Sequence, residues 1–305
     1  MNVQPLLLAA IVAGSCMIIG NASSQTLFGN DLFTNPSPKG LPAESGYNYS
    51  LTPYAGYTNL GTASGGNGVG GLTGSFAAPL GHDFGILMDA TSAAFNGGGL
   101  FGGGALAFAR DPGIGLIGPS IQVMHSTTSG GYSFGFGAIN WEGYWGRVTP
   151  FGSVGAAVIE NAGTFLAGGG GIALYPTDNV ALVASVSSVA GQTIYSGGIE
   201  YLLDEPIGTS AASLFVNGFG GSNYSGGVLA GVSLKFGRGS ERKTLIRRHR
   251  EDDPVSAPYS GSGGLNNLGF ALLESIEHDE WLAQYQAESQ RFWQQYFQQQ
   301  SNSSP

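Results

Sequence analysis

Charge is scarce in this sequence. Asp, Glu, Lys and Arg make up 10% of 305 residues, with 11 basic against 20 acidic side chains and a formal charge of −9. Phosphate backbones are gripped by basic surfaces, so nucleic acid is excluded as a partner. Cysteine is nearly missing too, Cys16 being the one present, and it lies in an apolar run from Leu6 to Gly20 that reads as the core of a secretory signal. Gly20 and Ala22 supply small residues at the two positions a signal peptidase inspects, which places cleavage after Ala22 and leaves a mature chain without cysteine. No Lys or Arg precedes Leu6, so the α-amino group is the positive end of that signal. Met17, Ile18 and Ile19 directly after Cys16 do not fit a lipid-attachment site. Long apolar runs are also missing. The leader run is roughly 15 residues where a helical span needs about 20, and nothing beyond Gly20 comes near that length.

Glycine is what the sequence has instead: 53 residues, in a chain that is 42% hydrophobic. Gly inside a helix costs about 1 kcal/mol relative to Ala, so long helices cannot dominate, and there is no strict three-residue repeat to support collagen. A Gly-tolerant β architecture remains. From Gly46 to Arg238 the chain breaks into pieces rich in Tyr, Phe, Val, Ile, Leu, Thr and Ala, beginning near Gly46, Val69, Phe84, Gly98, Gly115, Gly131, Pro150, Phe165, Val180, Thr193, Ala211 and Ser225. Their interval of about 16 residues fits a tilted membrane strand of ~10 residues plus its turn, and is longer than a soluble sandwich uses. The expected fold is an all-β, antiparallel, up-and-down transmembrane barrel of twelve strands with a C-terminal amphipathic helix.

Alternation assigns faces, because neighbouring side chains on a strand point to opposite sides. Tyr47, Tyr49, Leu51 and Tyr57 share one side of the first strand, opposite Asn48, Ser50, Thr52 and Tyr54. The same reading turns Thr73 and Ser75, Asp89, Ser120 and Gln122, Glu200, and Ser233 and Lys235 inward on later strands. These twelve residues are the candidate lumen lining. The sixth and seventh pieces alternate poorly and their faces stay unassigned. The clearest tight turns are Gly81 to Asp83, Asp111 to Gly113, Gly146 to Thr149, Pro176 to Asn179 and Asp204 to Gly208, and they follow every second strand. With an even strand number they share one end with both termini, the periplasmic end in an outer-membrane barrel. A soluble Gly-rich sandwich or secreted adhesin would share the propensities. It gives no reason for Tyr47, Tyr57, Tyr144, Trp145, Tyr175, Tyr201 and Phe236 to gather near strand ends, where barrel girdles meet the bilayer interface.

Catalytic motifs do not survive their context. Gly131 to Gly135 fits a nucleophile elbow, but no helix follows it, and Gly113 to Gly118 fits a dinucleotide fingerprint without the required strand and helix. His125 shares a face with Ile121 and Val123 while Ser126 points away, leaving Thr127 as the nearest hydroxyl on its side. No enzyme activity, metal or cofactor is expected. His82 sits in a turn without a second ligand at metal spacing.

The last strand carries Gly231, Leu234 and Phe236, the pattern by which outer-membrane barrels are handed to their assembly machinery. The organisation read from the chain is a leader over 1–22, a periplasmic segment over 23–45, the barrel over 46–238, a polar linker over 239–264 and a helix over 265–300. In the linker Arg247, Arg248 and Arg250 run into Glu251, Asp252 and Asp253, a mixture that reads as local pairing and solvation. The phrases Pro79 to Gly85, Arg110 to Gly113, Tyr175 to Asn179, Ser213 to Val216 and Lys243 to Pro254 (KTLIRRHREDDP) resemble a family of Gram-negative outer-membrane β-barrel proteins of porin-like type. That resemblance implies an outer-membrane location and a periplasmic tail, and supplies no substrate. The expected function is a narrow porin-like diffusion channel for small hydrophilic solutes, weakly cation-preferring because nine acidic residues face four basic ones between Gly46 and Arg238. The alternative is a non-conducting structural or interaction barrel, or a secreted adhesin, whose tail helix binds a periplasmic partner. Outer-membrane lipid and the assembly machinery are the other partners expected.

Overall fold

The computed structural model describes residues 34–58, 67–96, 98–127, 131–160, 163–189, 191–204, 210–221, 226–237 and 243–254. The leader and the helix expected over 265–300 lie outside the described residues. Twelve strands run in order: β1 Asn48–Thr58, β2 Asn67–Pro79, β3 Phe84–Phe95, β4 Gly98–Asp111, β5 Gly115–Ser126, β6 Tyr132–Gly143, β7 Val148–Ile159, β8 Gly163–Thr177, β9 Val180–Val189, β10 Gln192–Leu202, β11 Ala211–Gly221 and β12 Gly227–Gly237. A short helix, α1 (Leu245–Glu251), follows. Each strand pairs antiparallel with its sequence neighbours, and β12 returns to β1 through pairs such as Tyr49 with Phe236 and Tyr57 with Val228, closing the barrel. Every strand begins within two residues of its expected start.

Closure removes both edges and leaves two faces to cover. Outward, every strand contributes an exposed apolar side chain: Leu51, Leu72, Met88, Phe101, Ile121, Ile139, Val154, Ile172, Val186, Tyr195, Val216 and Phe236 in turn. Soluble monomers rarely leave more than a few hundred Å² of contiguous apolar surface uncovered, so a belt running round the whole wall belongs in lipid. Tyr47, Tyr57, Trp145 and Tyr201 stand exposed near strand ends, as a girdle requires. Tyr144 and Tyr175 depart from that expectation. Both are buried inside the wall, with Arg250 stacked over their rings at 5.2 and 5.8 Å.

Inward rings account for five of the glycines. Phe151 pairs across the ladder with Gly171 and Phe215 with Gly231. A Cβ on either glycine would stand 2.6 Å from the ring's Cζ. Tyr54 over Gly71, Phe108 over Gly85 and Phe219 over Gly227 repeat the arrangement. Large rings thus fit inside a narrow wall because the partner strand offers no side chain beneath them.

Candidate functional site

The inner wall divides into three layers. Toward the loop end Tyr54, Leu100, Met124, Phe134, Phe136, Phe215, Phe219 and Leu229 are buried in one apolar cluster with Val69, Ile159, Val189 and Ile194. This layer explains the ambiguous sixth and seventh pieces. β6 turns Phe134, Phe136, Ala138, Asn140 and Glu142 inward, so its two phenylalanines face the interior while Trp141 faces out, and β7 turns Phe151, Ala157 and Ile159 inward as well.

At the waist the wall is polar and small. Thr52 donates to Ser233 at 3.0 Å, Asn140 Nδ2 to Ser120 Oγ at 2.7 Å, and the hydroxyls of Ser50 and Ser75, Thr73 and Thr91, and Ser185 and Ser196 pair across strands. On β7 to β10 the inward residues are Ser153, Gly169, Gly171, Ser185, Ser187 and Ser196, all half-buried and so bordering interior space.

The turn end is filled by chain from outside the barrel. The strap of residues 34–47 and the segment 243–254 enter the mouth from opposite sides. Leu245 and Ile246 of α1 are fully buried against Phe151, Tyr175, Val183, Leu202 and Ala211, while Ala43 packs against Leu87, Leu106, Phe108 and Tyr144. The Ile246 amide donates to the carbonyl of Asp178 in the β8–β9 turn at 3.1 Å, and the Ala43 amide to that of His82 in the β2–β3 turn at 2.7 Å. Charges then lock the two pieces to the wall and to each other. Arg110 on β4 pairs with Glu44 and donates to the carbonyl of Glu251 at 2.7 Å. Arg250 donates to Asn35 at 2.7 Å and to Thr149 at 3.2 Å, and Ser37 to Glu251 at 3.1 Å. Lys235 and His249 both meet Glu200, at 3.0 and 3.2 Å, and the Tyr175 hydroxyl meets His249 Nδ1 at 2.8 Å. Lys243 holds Asp252 at 2.7 Å, and Ser45 and Asn48 reach the same carboxylate. Burial pushes the Glu44 carboxyl up to about 8, against the pull of Arg110 and the Asn48 hydrogen bond and with the help of Asp252 and Asp253.

All twelve candidate lining residues lie on the inner side of the wall, but not in one place. Ser50, Thr52, Thr73, Ser75, Asp89, Ser120, Gln122 and Ser233 form the waist; Tyr54 belongs to the apolar layer; Asn48, Glu200 and Lys235 join the ionic network below. Of the proposed assembly signal, Gly231 is inward beneath Phe215, and Phe236 is exposed on the outer face. The part sequence reasoning missed is 243–254. Its charges do pair, with Arg247 to Glu251 at 2.8 Å, but they are not solvated, since Arg248, His249, Arg250, Glu251 and Asp252 are all buried. The motif's apolar start, Leu245 and Ile246, was the available signal.

On the outer face, His125 meets a hydroxyl the one-strand reading could not find. Ser133 stands directly across on β6 with its Oγ 3.0 Å from His125 Nδ1. Glu160 in turn accepts from the Ser133 amide at 2.9 Å rather than orienting the imidazole. A triad needs the acid on the base, so this row is a cross-strand polar contact at the loop-end rim. Among the described residues no group of three or more His, Cys, Asp or Glu is placed to hold a metal ion.

Fold and interior together define a closed twelve-stranded membrane barrel with its turn end filled. No family model and no curated protein matches the chain. Among solved structures it is similar to the KdgM porin, with a TM-score of 0.47 and 8% identity over 62% of this chain and 99% of that one. The outer membrane protein Omp33 of Acinetobacter baumannii gives 0.36 and 11% over 65% and 100%, and the translocator domain of the autotransporter NalP from Neisseria meningitidis 0.39 and 12% over 77% and 96%.

Proposed function

We propose that the protein is an outer-membrane, porin-like barrel that passes small hydrophilic solutes through its polar waist and is held closed at its periplasmic end by the strap and α1. The observation that carries this reading is the half-buried serine and glycine wall of β7 to β10, which borders interior space above the strap and α1. The plug is held mostly by side chains, whereas the wall is held by continuous backbone ladders, so the plug is the part that can leave without unfolding the barrel. Wall charge gives the path its weak preference. Asp89, Glu142 and Glu200 against Arg110 and Lys235 leave the inner wall one negative charge, which favours cations once the plug is out.

Planar-bilayer recording tests this. Wild-type protein is expected to be silent for most of the record, whereas Leu245→Asp/Ile246→Asp, which places carboxylates in the apolar seat of α1, is expected to give discrete steps with a reversal potential displaced modestly toward cations. The filled ends favour a second reading, a non-conducting barrel, and silence from both proteins at high load would support it instead.

A further inference from the structure

We propose that the plug is also the clasp of the barrel: docked, it fastens β1 to β12, and undocked it leaves that seam as the place where the wall parts. Connectivity singles the seam out. Every other pair of neighbouring strands is consecutive in the chain and so is joined by a turn or loop at one end, whereas β1 and β12 are the first and last strands and have no such link. Closing such a pair costs more chain entropy than closing a hairpin, because the rest of the barrel lies between the partners. The seam ladder is also broken. Its rows run from Asn48–Gly237 to Leu51–Leu234 and resume at Tyr54–Gly231, and the two rows between, Thr52 opposite Ser233 and Pro53 opposite Val232, are missing. Pro53 has no amide hydrogen to give a ladder, and proline sits in sheets at edges and breaks. Across the gap Thr52 Oγ1 donates to Ser233 Oγ at 3.0 Å. The β4–β5 and β8–β9 ladders are interrupted as well, beside Pro119 and between Leu174 and Thr177, but short turns after Asp111 and Thr177 tie each of those pairs together.

The plug supplies the tie that the seam lacks. Its strap runs directly into β1, and the segment 243–254 follows β12 closely, so contacts between the two pieces join the two seam strands at the turn end. Asp252 is the centre of the junction. It accepts from Ser45 Oγ at 2.5 Å, from Asn48 Nδ2 at 3.2 Å and from Lys243 Nζ at 2.7 Å, and Asn48 is itself the first residue of β1. Lys243 Nζ also reaches Ser45 Oγ at 2.7 Å, and on β12 Lys235 stands 3.8 Å from Asp253. Ser37 with Glu251 and Asn35 with Arg250 extend the junction. Asn48, Glu251 and Asp252 are buried, where hydrogen bonds to a charged group count for more than at an exposed surface. The contacts that fill the mouth therefore also bridge the seam.

The test is the temperature at which the full chain, folded in detergent, passes from the SDS-resistant gel band of a closed barrel to the unfolded band. Two plug variants are used in a Cys16→Ser background: Leu245→Asp/Ile246→Asp, and Asp252→Ala, which cuts the junction and leaves the apolar seat of α1 intact. Each is compared without a cross-link, with Leu51→Cys/Leu234→Cys bridged across the seam by oxidation or a short bifunctional thiol reagent, and with Ile139→Cys/Val154→Cys bridged in the same way across β6–β7. Weakening the plug is expected to lower the temperature by roughly 10 °C in the unlinked barrel. That loss should shrink to less than half when the seam is linked and stay unchanged when β6–β7 is linked, because only groups that act on the same contact fail to add. No loss from either plug variant, or a loss reduced equally by both cross-links or by neither, would overturn the proposal. Band mobility needs no conduction, so the outcome is separate from that of the channel reading.

Discussion

At the scale of single residues, five inward rings, Tyr54, Phe108, Phe151, Phe215 and Phe219, each lie on a glycine of the neighbouring strand. The consequence is a site-specific penalty. Gly231→Val would drive a side chain into the Phe215 ring and is expected to destabilise the barrel by about 1–3 kcal/mol, as overpacking does. Gly137→Val, at an exposed outward position where a Cβ meets nothing within 4 Å, is expected to be tolerated. Urea unfolding followed by tryptophan fluorescence distinguishes the two, and equal midpoints would contradict the packing argument. Gly231 was legible in the sequence as part of a terminal-strand pattern, but its partner Phe215 was not, because the pairing is a matter of register between strands. Asn48 to Tyr54 were legible because polar and apolar residues alternate cleanly there. Phe134 and Phe136 were not, since a rule of polar inside and apolar outside fails where the interior itself is apolar.

At the scale of elements, the strap and α1 act as one stopper joined by Arg110, Glu44 and the end of α1. Glu44 makes its docking depend on pH. Its pKa stands near 8 in the docked state against 4.5 for a solvated glutamate, so docking takes up a proton. The stabilisation is complete below 4.5 and is lost as pH climbs through 8. The groups facing Glu44 are Arg110, Asn48, Asp252 and Asp253. The Ile246 methyl signal in NMR should therefore shift from its docked toward its free position between pH 5 and 9, and Glu44→Gln should flatten that response. A wild-type signal that stays docked across the range would show that Arg110 keeps the carboxylate in place whatever its protonation. Sequence alone pointed away from this element. A run of three arginines against three acids reads as solvated linker, and only the turn-end surfaces of β7 to β11 give Leu245 and Ile246 somewhere to go.

At the scale of the whole molecule, the apolar belt places the wall in lipid, and three layers stack inside it. The apolar layer and the ionic stopper bracket a polar waist, and on the proposed channel reading transport requires the stopper to move. The most direct measurement is the reactivity of a cysteine placed in the waist, Ser185→Cys in a Cys16→Ser background, toward a charged water-soluble thiol reagent with the protein in lipid vesicles. The site should be protected in the otherwise wild-type barrel and should react at least tenfold faster when Leu245→Asp/Ile246→Asp is added. Equal, fast labelling of both proteins would contradict the account, because the interior would then be open with the stopper in place.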